Sequence, residues 1–118
     1  MDLQLSTRDG RGCTVVRVGG ELDMDTGPQL QDVLQEVADG GGARQVLLDF
    51  AEVTFMDSSG LGLLVEWFKT LRDGGGRLCL AAVQPPVRTV LVLSAVDQVV
   101  EVYDTVAAAE ADMLPPAS

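Results

Sequence analysis

Apolar residues in this chain alternate between two rhythms. Short runs rich in Val and Leu read as strands, and stretches with apolar positions three and four apart read as helices. Leu3-Gln4-Leu5-Ser6 alternates as an edge strand does, and Asp9-Gly10-Arg11-Gly12 is a turn signal. The β-branched run Cys13–Val18 is the expected return strand, closed by Gly19-Gly20. Leu30, Val33, Leu34 and Val37 predict an amphipathic helix over Thr26–Ala38, with Thr26 as cap and Pro28 in the first turn. Asp39-Gly40-Gly41-Gly42 stops it through a left-handed glycine. Gln45–Phe50 is almost wholly apolar, as a central strand covered on both faces would be.

A second helix follows, with Leu61, Leu64, Val65, Phe68 and Leu71 on one face, Leu63 nearly opposite and Trp67 at the edge. Asp73-Gly74-Gly75-Gly76 ends it. Arg77–Ala81 predicts a strand, Pro85-Pro86 opens a helix through Val87, Val90, Leu91 and Ser94, and Val99–Tyr103 predicts a last strand. Thr105–Met113 predicts an Ala-rich helix. The order β–β–α–β–α–β–α–β–α implies an α/β fold with largely parallel pairing and right-handed crossovers. A single domain over residues 1–113 is expected, with residues 114–118 as a flexible tail.

The densest chemistry lies between the central strand and the second helix, in Val53-Thr54-Phe55-Met56-Asp57-Ser58-Ser59-Gly60-Leu61-Gly62-Leu63. Asp and Ser are good N-caps, so one such residue needs no function. Two serines behind the aspartate are not explained by capping. Gly60 and Gly62 also weaken the first turn, by roughly 1 kcal/mol each against Ala. Local rules broken together mark a functional segment.

Met56-Asp57-Ser58-Ser59-Gly60-Leu61-Gly62 resembles the signature of STAS domains, and among them of the bacterial anti-sigma factor antagonists. The resemblance implies a mixed central sheet of about five strands with about four helices packed on it. It also implies that Ser58, directly after the aspartate, is phosphorylated by an anti-sigma factor that is a serine kinase. Gly20-Glu21-Leu22-Asp23 resembles the family's second motif, which implies that Asp23 lies close to the phosphoacceptor; Asp23 or Asp25 capping the next helix is compatible with that. Asp57, Asp23, Ser59 and Gly60 form the expected phosphosite environment. Glu21, Asp25, Gly62, Leu63 and Trp67 are the expected partner-binding residues. Only the resemblance separates Ser58 from Ser59 as acceptor. Ala95 departs from the pattern, where a glycine after Ser94 is expected.

Composition narrows the alternatives. The 118 residues suffice for a packed core, and 47% hydrophobic with 4% aromatic content makes that core Val, Leu and Ala. A net charge of −10, from 18 acidic and 8 basic residues, argues against nucleic acid and anionic membrane as partners. Cys13 and Cys79 lack metal-ligand spacing and read as buried free thiols. The N-terminus has no signal-peptide pattern and no apolar run approaches the ~20 residues of a membrane span, so a cytoplasmic location is expected.

There is no histidine for a Ser-His-Asp triad, and the single lysine, Lys69, is remote in sequence from Ser58, so catalysis and a cofactor of the chain's own are not expected. The glycine runs end helices and lack a Gly-Lys-Ser/Thr element, which disfavours nucleotide binding. The resemblance therefore implies an antagonist that binds an anti-sigma factor kinase and frees a sigma factor. The kinase supplies Mg-ATP and a serine phosphatase resets the switch. A non-catalytic adaptor in a signalling assembly or lipid transporter is the alternative.

Overall fold

The computed structural model of the chain describes residues 2–40 and 45–113. Among them, strands β1 (Gln4–Asp9), β2 (Thr14–Leu22), β3 (Gln45–Met56), β4 (Arg77–Ala81) and β5 (Glu101–Tyr103) form one sheet in that spatial order. β1 and β2 are antiparallel, and the other neighbours are parallel. A hairpin accounts for the first pairing. Crossovers through α1 (Gly27–Asp39), α2 (Ser58–Asp73) and α3 (Pro85–Leu93) account for the rest. A final helix, α4 (Val106–Met113), follows β5.

Period-two alternation sorts the strand side chains into two layers. Val16, Val18, Val46, Leu48, Phe50, Leu78 and Leu80 face α1, α2 and α3 in the main core. Val15, Leu47, Cys79 and Ala81 face Ala109 and Met113 of α4 in a smaller one. Covering on both faces is why Val46–Leu48 reads as a continuous apolar run. The smaller layer is tied at its margins by ion pairs. Arg8 meets the largely buried Glu110 at 2.7 Å, and Arg77 meets Glu101 at 2.7 Å while also donating to the Tyr103 hydroxyl.

Several boundaries differ from the sequence expectation. β2 continues through Gly19 and Gly20 to Leu22, and β3 runs on six residues past Phe50 to Met56. Alternating burial breaks down in these extensions because β2 shifts register between Arg17 and Gly19 and again between Gly20 and Glu21. Gly20 has φ +107, a conformation open to glycine and costly to other residues. A 3-10 turn at Val96–Gln98 takes the chain between α3 and β5, so Val99 and Val100 precede the strand instead of opening it. Cys13 is only half-buried, while Cys79 is fully buried with its thiol pKa pushed up to about 11 by burial.

The glycine stops also divide. Gly40 is right-handed, with φ −66, and Gly41 and Gly42 lie outside the described residues. At the end of α2, Gly75 has φ +85, and the bonds Gly75 N–H to Arg72 O and Gly76 N–H to Leu71 O complete a Schellman motif. Ala95, where a glycine was expected, is left-handed too, with φ 62. Two left-handed positions thus carry opposite residues. Gly75→Ala should destabilise the domain by about 1 kcal/mol, and Ala95→Gly should stabilise it by about 0.5 kcal/mol after the unfolded-chain entropy is subtracted. Urea unfolding of the two variants checks this, and effects of the same sign would contradict it.

Candidate functional site

β2 and β3 finish side by side, with Leu22 opposite Met56. The Asp57 N–H donates to the Leu22 carbonyl at 3.2 Å, so the chain turns into α2 from a fixed point. Asp57 is extended, at φ −100 and ψ −172, and is the N-cap of the helix. Its Oδ1 accepts from the Ser59 N–H at 2.9 Å and the Gly60 N–H at 3.1 Å, and its carbonyl accepts from the Leu61 N–H. Two otherwise unpaired amides are thereby satisfied, an arrangement worth about 1 kcal/mol. Ser58 is the first helical residue and is exposed; its hydroxyl makes no hydrogen bond among the described residues. The anion-attracting end of α2 is already occupied by the Asp57 carboxylate.

Gly60 is buried, and a Cβ there would come within 2.8 Å of both Leu22 Cγ and Met56 Cγ and 3.0 Å of the Leu22 carbonyl. The first turn of α2 rests directly on the ends of β2 and β3 because residue 60 has no side chain. Gly62 is different. It is exposed, and a Cβ there meets nothing within 4 Å. Of these two glycines, Gly60 is the one that gives clearance inside the domain.

The second motif closes as a tight turn. The Asp23 carboxylate accepts from the Asp25 N–H at 2.9 Å and the Thr26 N–H at 3.0 Å, and the bond from the Thr26 amide holds its pKa below the usual value. Thr26 makes no side-chain cap for α1. Its buried hydroxyl instead donates to the Glu21 carbonyl at 2.7 Å and accepts from the Asp23 N–H at 3.0 Å. This pinning role was not foreseen in the sequence. A Thr three residues after an Asp, just before a helix, is the signal that could have revealed it.

The structure places Asp23 and Ser59 on one shallow depression of about 310 Å³, together with Met24, Gly27, Pro28, Gln31 and Leu63. An adjoining depression of about 580 Å³ is lined by Asp2, Glu21, Asp23 and Asp25, with Gln4, Gly20, Thr26 and Thr54 around them. No Lys or Arg lines either depression.

Two helix residues fall elsewhere than expected. Trp67 is 6% exposed, sits in the main core and donates its indole N–H to Gln31 Oε1 at 2.6 Å, so it offers no ring to a partner. Leu63 is half-buried and packs against the core from the rim of the depression. Exposed apolar residues here are Met24, at 73%, and Phe55, which pairs with Glu21. Met24 escaped the helical-periodicity reading because it lies in the turn.

Residues 4–109 match the STAS domain family, and the chain belongs to it. It is 32% identical over 104 residues to the anti-sigma F factor antagonist of Paenibacillus polymyxa, spanning 88% of this chain and 89% of that protein. Among solved structures, an anti-sigma factor antagonist from Mycobacterium paratuberculosis superposes with a TM-score of 0.85 at 27% identity, covering 94% of this chain and 93% of that one. The Bacillus cell fate determinant SpoIIAA in its phosphorylated form superposes at 0.70 with 27% identity, covering 93% and 97%. The chain is thus a member of the anti-sigma factor antagonist family, whose theme is sigma factor regulation. Among its described residues no helix is long and apolar enough to cross a membrane, and no three acidic or Cys side chains gather as metal ligands.

The two signature glycines separate fold from surface. Gly60→Ala should cost about 1–3 kcal/mol of stability through overpacking against Leu22 and Met56. Gly62→Ala should stabilise α2 by up to about 1 kcal/mol. Thermal unfolding of the two variants measures both, and a tolerated Gly60→Ala would refute the close contact.

Proposed function

We propose that this protein is an anti-sigma factor antagonist switched at Ser58. Unmodified, it binds an anti-sigma factor that is also a serine kinase, and so frees a sigma factor for transcription. The kinase then transfers the γ-phosphoryl group of its own Mg-ATP to Ser58 Oγ. ADP leaves, the serine proton passes to the kinase, and the antagonist is released. A serine phosphatase restores the binding form.

The observation that carries this reading is the exposed, unbonded Ser58 hydroxyl on a helix start already braced by Asp57 and Gly60. Asp57 already holds the amides that could have drawn a phosphate inward. Phosphorylation adds about −1.5 to −2 charge at neutral pH. Within the free domain that group has room in solvent. In a complex it adds bulk where the partner closes over Ser58 and faces the nucleotide phosphates the kinase holds there. Only ~1.4 kcal/mol of clash or desolvation is needed for a tenfold loss of affinity. Asp23, Ser59 and the acidic turn around Glu21 and Asp25 shape the surface the kinase reads.

The test compares wild type, Ser58→Ala and Ser58→Asp against the anti-sigma factor kinases encoded in the same genome. Wild type and Ser58→Ala should bind one of them, Ser58→Asp should bind at least about tenfold more weakly, and phosphate should enter wild type but not Ser58→Ala. Equal binding by all three variants, or recovery of a transporter subunit in place of a kinase, would favour an adaptor.

A further inference from the structure

We propose that the depression between Met24 and Leu63 receives one long apolar side chain from a partner segment with basic flanking residues, and that the Gln31 amide donates to that segment's backbone. The inference rests on the proposed function, in which the partner is the anti-sigma factor kinase. An exposed methionine alone means little. Met24 differs in being held out by a turn that cannot easily fold it away. Asp23 and Thr26 fix that turn through bonds of 2.7 to 3.0 Å, and Met24 stands 73% exposed beside Pro28 and Leu63. Methionine adapts its shape to an incoming group, as a docking anchor must.

Gln31 supplies the polar direction. The Trp67 indole N–H can only donate, so the Gln31 oxygen must face it, at 2.6 Å. The Gln31 Nε2 group is thereby turned from the indole, and it donates to nothing among the described residues. A backbone carbonyl of an extended segment is the acceptor such a group fits. Charge fixes the rest of the partner's chemistry. Asp23 stands on the wall, Asp2, Glu21 and Asp25 line the adjoining depression, and no Lys or Arg side chain lines either one. An acidic segment would be repelled there, a neutral one would gain nothing from the field, and a basic one is steered in. Ser59 also lines the depression, so this surface is continuous with the proposed phosphoacceptor.

The experiment is titration calorimetry of the full chain against the anti-sigma factor kinase that binds wild type, using Met24→Glu, Gln31→Glu, Ser58→Asp and, as a distant exposed control, Leu93→Glu. Gln31→Glu keeps an acceptor for the indole, removes the outward donor and adds a negative charge that would by itself favour a basic segment, so weaker binding reports the lost donor. An unchanged emission of Trp67, the chain's single tryptophan, therefore shows that its wall is intact. Met24→Glu should weaken binding about tenfold or more and Gln31→Glu about fivefold, with Leu93→Glu unchanged.

If both variants bind as wild type while Ser58→Asp does not, this inference is wrong and the proposed function stands. If wild type binds no such kinase, the proposed function fails and this inference with it. Loss of binding in Leu93→Glu to the same extent, or a wild-type dimer dispersed by Met24→Glu, would equally overturn it.

Discussion

The position of Ser58 depends on the absence of one side chain. Because residue 60 is glycine, the first turn of α2 settles onto Leu22 and Met56, where two parallel strands end together. Asp57 locks the same turn from the other side, with its N–H on the Leu22 carbonyl and its carboxylate on the amides of Ser59 and Gly60. Strand ends, helix start and the turn through Asp23 are thus one rigid unit. The Ser58 and Ser59 hydroxyls ride on it and make no hydrogen bond among the described residues.

That division of labour suits a switch that works by surface chemistry. Residues buried in the site are structural, among them Gly60, Leu22, Met56, Thr26 and Trp67. Residues left exposed are those a partner would meet, namely Ser58, Met24, Glu21, Asp25 and Gly62. A modification confined to the second set can change binding while leaving the first intact. The Asp23 carboxylate accepts from the backbone of its own turn, at Asp25 and Thr26, and no Lys or Arg side chain lines the acidic depression beside it.

Much of this was legible in the sequence because periodicity and glycine placement are local signals. The order of five strands and four helices and the largely parallel crossovers follow from alternation, caps and turn residues, while the mixed sheet was implied by the family resemblance of the signature. What was not legible depends on contacts far apart in the chain. The length of β3 comes from pairing with β2 across a shifted register, which Ala51 and Glu52 do not announce. Trp67 looked like an edge residue on a wheel, yet Gln31 of the neighbouring helix draws its indole into the interior. Thr26 and Met24 gained their roles from the fold of a four-residue turn that has no period. Gly60 and Gly62 look alike in sequence, and only the packing beneath them tells them apart.

In the proposed switch, phosphate at Ser58 alters a surface and does not remodel the fold. Amide hydrogen exchange on the unmodified and the singly phosphorylated protein tests it most directly. The account predicts matching protection through β2, β3 and the body of α2, with differences limited to the amides next to Ser58. Loss of protection along α2, or across the Asp23–Thr26 turn, would contradict it by showing that the phosphate acts through refolding.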